Sequence, residues 1–239
     1  MESVVLARVV RGDTVESVHR GHLFIEDCSG KTIYRLGNPE AIAFVRSASK
    51  PLQAIPFLTS GAADAFGYSD EEIATACASH SGEKIHVRVV AQMLEKAGLS
   101  EAYLRCGVHL PFNDKEAERM IREGEPATQL HNNCSGKHAA MLALAKHVGS
   151  DLAAYEQPEH PVQQAIFGVI SQFSEIAAGD IAIGIDGCAA PNFAMPVSAM
   201  ARSFANLIAP PESFDEVTRG ACDRIVSSMV RFPELIGGT

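Results

Sequence analysis

The sequence predicts an α+β fold, strands first and helices next. Two observations carry that expectation. The first 36 residues are rich in β-branched side chains interrupted by turn signals, whereas from Lys50 to about Leu152 the texture changes to helical periods. Size agrees with it: 239 residues, 46% hydrophobic and 21% charged, suffice for one large domain or a core with a smaller helical layer.

The elements follow in order. Residues 4–10 read as a strand, Arg11-Gly12-Asp13 as a turn, and residues 14–26 as renewed alternation. Ser29-Gly30-Lys31 then turns the chain into residues 32–36, completing an antiparallel meander. Pro51 fits the first turn of a helix, where its missing N–H is no loss. Asp70-Glu71-Glu72 opens the next helix. Further helices are expected over 86–96, stopping at Gly98, over 114–123, stopping at Gly124, and over 136–147, stopping at Gly149. A helix over 162–176 follows the proline-containing segment 157–161. The apolar strand 180–186 comes next and halts at Gly187-Cys188-Ala189-Ala190-Pro191, with two more helices over about 197–207 and 213–228. A meander exposes two strand edges, yet no further strand run precedes Thr239. A further strand pair is therefore expected beyond residue 239 in a complete domain.

Composition narrows the partners. Twenty basic against 29 acidic side chains give a net charge of −9, which argues against nucleic acid or an anionic membrane surface. No run approaches the roughly 18 apolar residues of a membrane span. The N-terminus, Met1-Glu2-Ser3-Val4-Val5-Leu6-Ala7-Arg8, has an early acid and no basic lead, unlike a signal peptide. The default expectation is a cytoplasmic enzyme or binding protein. The six cysteines are scattered without a C-x-x-C pair, so disulfides are not expected.

Four segments could carry chemistry. Ser47 and Lys50, three residues apart, project from one face of a helical turn. A lysine whose pKa is lowered by burial can take the proton of a serine and make it a nucleophile; an exposed serine beside an exposed lysine is the bland alternative. Ser79, in Cys77-Ala78-Ser79-His80-Ser81-Gly82-Glu83, offers a second hydroxyl or merely a helix end with Gly82 as its stop. Asn132-Asn133-Cys134-Ser135-Gly136-Lys137-His138 leads into a helix, and its converging N–H groups could hold a carboxylate. The spacing of a P-loop is absent. Asp186, at the end of an apolar strand, could hold an ammonium group or be a turn acid. Cys134 and Cys188 could share a soft metal such as zinc. His138 is a possible further ligand, and Lys137 an unusual one, since zinc must displace its proton. The other histidines, His109 among them, read as surface or capping groups.

Taken together, Arg46-Ser47-Ala48-Ser49-Lys50-Pro51-Leu52-Gln53 and the three segments around Ser79, Cys134 and Asp186 resemble the rhizobial-type L-asparaginases. These form a serine–lysine family related in fold to glutaminases and serine β-lactamases. The resemblance implies an antiparallel β-sheet flanked by helices with a helical subdomain. It implies a single domain over 1–239, C-terminally incomplete and lacking the last strands. The implied reaction is hydrolysis of L-asparagine to L-aspartate and ammonia, in a homodimer. Ser47 and Lys50 match the family's first serine–lysine tandem and Ser79 the serine of the second. Cys134, Lys137 and Cys188 match a zinc site completed by water, Asp186 a substrate-holding acid, and Arg46 a residue shaping the pocket. The last lysine here is Lys146, so the partner of the second serine is not supplied, which predicts impaired activity. An inactive or weakly active amino-acid- or zinc-binding fragment is the alternative of a different class. A penicillin-recognising serine hydrolase would want Ser-Asp-Asn and Lys-Thr-Gly elements, and the chain has neither.

Overall fold

The computed structural model describes residues 3–239; Met1 and Glu2, which the leader reading included, lie outside the described residues. The fold is α+β, as expected, but its strands are divided among three small antiparallel sheets instead of one meander. Strands β1 (Val4–Arg11) and β2 (Thr14–Gly21) form one hairpin, and β3 (Leu23–Glu26) and β4 (Thr32–Leu36) another. The run expected over 14–26 breaks at His22, whose Nδ1 accepts the Asn38 N–H at 3.0 Å.

The third sheet positions the site. It contains β5 (Ile42–Phe44), β6 (Ala182–Ile185) and β7 (Pro191–Pro196) in the order β5-β7-β6. Both outer strands run antiparallel to β7, so β5 and β6 are parallel to each other and their C-terminal ends emerge on the same edge. One end leads into Arg46 and Ser47, the other into Asp186. Sequence patterning foresaw β6 but neither β5 nor β7. The former has only three residues, and prolines bound the latter. Pro191 is tolerated because it occupies the first position of the strand.

The helices are α1 (Lys50–Gln53), α2 (Ile55–Thr59), α3 (Ala62–Ala65), α4 (Asp70–Ala76), α5 (Lys84–Lys96), α6 (Asp114–Glu123), α7 (Ser135–His147), α8 (Pro161–Ser174), α9 (Val197–Ile208), α10 (Glu216–Arg231) and α11 (Glu234–Gly237). Their ends follow local chemistry. Ser69 caps α4 in a capping box, its N–H bonded to the Glu72 carboxylate at 2.7 Å. Gly124 ends α6 at φ 66°. Helix α7 is buried from Ser135 through Ala145 and packs against α4, α5 and α8, the position an all-round apolar helix must take. Its close approach to α4 needs Gly136, since a Cβ there would collide with the Thr75 carbonyl oxygen and Cγ2. Around it Ile73, Val89, Met93 and Phe173 are wholly buried. Among the described residues no helix is long and apolar enough to cross a membrane.

Candidate active site

Five separate segments meet at a cleft of about 400 Å³ lined by Arg46, Ser47, Ser79, His109, Phe112, Asn132, Asn133, Cys134, Asp186, Gly187 and Cys188. Each arrives for a local reason. The turn Arg46–Ser49 is a 3-10 turn running directly into α1, with Pro51 in the first helical turn as the sequence predicts. Arg46 stands at φ 57°, in the left-handed region, immediately before Ser47. Two contacts hold it there. Its N–H donates to the Asn192 side-chain oxygen of β7 at 3.0 Å, and its carbonyl accepts from the Ser49 hydroxyl at 2.8 Å. The Ser49 oxygen in turn accepts from Gln53 at 2.7 Å.

Lys50 is only 1% exposed, and its amine reaches across the core away from its own turn. It donates to the carbonyls of Ala78 at 2.8 Å and Asn133 at 3.1 Å, stitching together the segments that carry Ser79 and Cys134. Burial pushes its pKa below the ordinary lysine value, opposed by the charge of Cys134 and aided by nearby Lys137. Two carbonyls match the two N–H bonds of a neutral amine, while a side-chain bond with Cys134 works the other way and favours the charged form. The helical-turn argument expects Lys50 to face Ser47; the bonds it makes are to the neighbouring backbone.

Ser79 follows the end of α4 and is exposed to the cleft, where its oxygen lies 2.7 Å from Asn133 Nδ2. His80 locks this segment to the start of α7. Its Nδ1 accepts the Gly82 N–H at 3.2 Å, so Nε2 carries the proton and donates to the Ser135 hydroxyl at 2.9 Å. That hydroxyl in turn donates to the Leu130 carbonyl at 2.9 Å.

On the opposite wall, Asp186 pairs with the Arg46 guanidinium at 3.2 Å and accepts the Gly187 N–H at 2.8 Å. The Asp186 side chain is 14% exposed and that of Arg46 67%. An ion pair this open contributes little to stability.

Cys134 and Cys188 line the same cleft as neighbouring thiols. The hydrogen bond from Cys134 pulls the Cys188 thiol well down, helped by His138 and by the charge of Lys137, while burial opposes it. The same bond, together with burial, pushes the Cys134 thiol up. Lys137 donates to the Cys188 sulfur at 3.4 Å. His138 is fully buried, with Nδ1 2.7 Å from the Tyr155 hydroxyl; its Nε2 makes no bond of ordinary geometry and lies against Cys188. Two sulfurs and an amine are donors that suit zinc. Among the described residues no three His, Cys, Asp or Glu side chains converge on one metal position, so a zinc ion here would rely on Cys134, Cys188 and the amine of Lys137.

Every sequence-predicted site residue thus belongs to this one region. Arg46, Ser47, Ser79, Cys134, Asp186 and Cys188 line the cleft, and Lys50 and Lys137 lie buried just beneath it. Sequence reasoning missed Asn133, His109 and Asn192 in their roles here. His109 was read as a surface group because no ligand-like spacing surrounds it, and its neighbour in space, Asn133, is distant in sequence. No curated protein matches the chain. Residues 7–239 match the family model of L-asparaginase II, and the chain belongs to that family and is an amidohydrolase of the asparaginase type.

Proposed function

We propose that the cleft hydrolyses L-asparagine to L-aspartate and ammonia through Ser47, with Lys50 as its proton acceptor. The observation that carries this reading is the Lys50 amine. It is buried beneath the cleft, bonded to the segments that carry Ser79 and Cys134, with a lowered proton affinity and both carbonyl bonds compatible with the neutral form. In the reaction Lys50 takes the Ser47 proton and the Ser47 oxygen adds to the side-chain carbonyl. The C–N bond then breaks, with the proton returned to the departing ammonia. Water next hydrolyses the aspartyl ester and restores Ser47.

Selection of a free amino acid needs partners for both an α-carboxylate and an α-ammonium. The Arg46–Asp186 pair supplies one of each at the same wall. A bound zwitterion exchanges their mutual contact for carboxylate to Arg46 and ammonium to Asp186. Cys134, Lys137 and Cys188 would hold zinc, which bound there supplies positive charge that orients the pocket.

Ammonia release from L-asparagine by the purified chain tests the reaction, and Ser47→Ala tests the nucleophile. A loss of at least a thousandfold in kcat is expected for Ser47→Ala; ammonia release at the parent rate excludes Ser47. Calorimetric binding of asparagine without any ammonia release favours the amino-acid-binding alternative.

A further inference from the structure

His109 sits on the loop between Leu104 and Asn113, and this loop is fastened to the segment that carries Ser79. The Asn113 N–H donates to the Ser81 carbonyl at 3.1 Å. Gly82, at φ 76°, lets the two backbones touch, since a Cβ there would lie 2.7 Å from the His131 carbonyl oxygen and 3.0 Å from Pro111 Cα. Phe112 stacks on the His109 ring, centroids 4.6 Å apart and planes within 11°. The imidazole is therefore fixed in plane and position at the mouth of the cleft.

Its protons can be assigned from its partners. The Leu110 carbonyl, 2.6 Å from Nδ1, can only accept, so Nδ1 carries a hydrogen. The Asn133 backbone N–H, 3.1 Å from Nε2, can only donate, so Nε2 presents a lone pair. The same Nε2 lies 3.2 Å from Asn133 Oδ1, two acceptors facing each other, while Nδ2 of that amide faces Ser79 Oγ at 2.7 Å. A half-turn of the amide exchanges its two terminal atoms and keeps every contact. The NH₂ group then donates to His109, sharing the Nε2 lone pair with the Asn133 backbone N–H, and the carbonyl oxygen accepts a hydrogen bond from the Ser79 hydroxyl. The Cys134 sulfur, 3.7 Å from the same corner of the amide, can accept in the turned orientation.

We propose that His109 is a positioning residue which, through the Asn133 amide, turns Ser79 into a hydrogen-bond acceptor for the cleft and so favours a carboxamide NH₂ over a carboxylate. The inference rests on the reading of the cleft as an amidohydrolase site. With its proton held by Asn133, the Ser79 oxygen shows only lone pairs to the ligand. An asparagine side chain offers N–H groups to such an oxygen; an aspartate side chain offers only repulsion, which favours release of the product.

L-aspartate binding, which needs no turnover, tests this by calorimetry. His109→Leu frees the amide and lets Ser79 donate, so aspartate binds about tenfold more tightly, the worth of one hydrogen bond. In a Ser79→Ala background the same substitution should leave aspartate affinity within twofold. Unchanged affinity in His109→Leu, or an equal gain in both backgrounds, overturns the proposal. Imidazole ¹⁵N shifts of the unaltered protein give a second reading independent of how any variant folds: an Nδ1–H tautomer supports it and an Nε2–H tautomer overturns it. Failure of L-asparagine turnover by the unaltered protein counts against the amidohydrolase reading alone, since the tautomer and the aspartate cycle are read without it.

Discussion

Acid should destabilise this protein earlier than its carboxylates alone would require, because two stacked histidines are built in neutral. His80 and His86 lie fully buried with ring centroids 4.9 Å apart. In each, one nitrogen accepts a backbone N–H, from Gly82 and Glu83 respectively, so the imidazolium form would set N–H against N–H. The other nitrogen has an acceptor, Ser135 Oγ for His80 and the Glu234 carbonyl for His86. Burial, first of all, holds both well or clearly below the ordinary histidine value, with neighbouring charge adding to it for His80. The sign follows by linkage. Below about pH 6.5 the unfolded chain binds protons that the folded chain refuses, so stability falls as pH drops from there toward the folded pKa. Each histidine held neutral contributes ~1.4 kcal/mol per pH unit in that window, or up to about 2 kcal/mol between pH 7 and pH 5. The pair therefore removes up to ~4 kcal/mol, a large part of a typical domain's 5–15 kcal/mol. Urea unfolding at pH 7 and pH 5 reads this directly, with His80→Asn and His86→Asn each expected to recover part of the loss, His80→Asn the more. A double variant that loses as much stability as the parent, or imidazoles that titrate near pH 6.5 by NMR, refutes the reasoning.

Three further outcomes follow from the packing and the cleft. Gly136→Ala drives a methyl group into the Thr75 backbone between two rigid helices, so a loss of about 1–3 kcal/mol is expected in urea unfolding; no loss would mean α4 and α7 can part. Asn192→Ala orphans the Arg46 N–H and frees its left-handed backbone, for an expected fall of about tenfold or more in kcat/KM and about 1–3 kcal/mol in stability; unchanged kinetics would detach Asn192 from the Ser47 turn. If zinc is bound by Cys134, Lys137 and Cys188, stripping it with a chelator raises KM more than it lowers kcat; a collapse of kcat with KM unchanged would give the metal a chemical role instead.

How far the sequence reveals the molecule depends on whether a feature is local. Helix α6 coincides with its expected span because Asn113, its acidic first turn and Gly124 all lie in or beside it. Ser47 and Lys50 stood out because four residues suffice to show them. The strands β5 and β7 left no such trace. The first is too short for alternation, and prolines at both ends of the second argue against a strand unless its partners are known. The division of the N-terminal strands was equally hidden, since it turns on a contact between His22 and Asn38. Asn133 and His109 were invisible as a pair for the same reason: twenty-four residues separate them, and only the loop's docking on Ser81 and Gly82 brings them together.

The unforeseen strand proves to be the organiser of the cleft. Arg46 in the left-handed region costs roughly 1–2 kcal/mol, and within residues 46–53 only the Ser49 hydroxyl on its carbonyl supports that conformation. The second constraint comes from 146 residues away, where Asn192 near the start of β7 accepts the Arg46 N–H. Pairing with β7 also fixes where β5 ends, and pairing on its other side fixes where β6 delivers Asp186. One strand therefore sets both the turn that presents Ser47 and the distance at which Arg46 meets Asp186. The S-x-x-K spacing supplies the chemical groups, but their aim is a property of the sheet. It follows that disturbing β7 should injure the site while the Ser47–Lys50 sequence remains intact, and that a matching S-x-x-K motif without such a strand carries little evidence of the same chemistry.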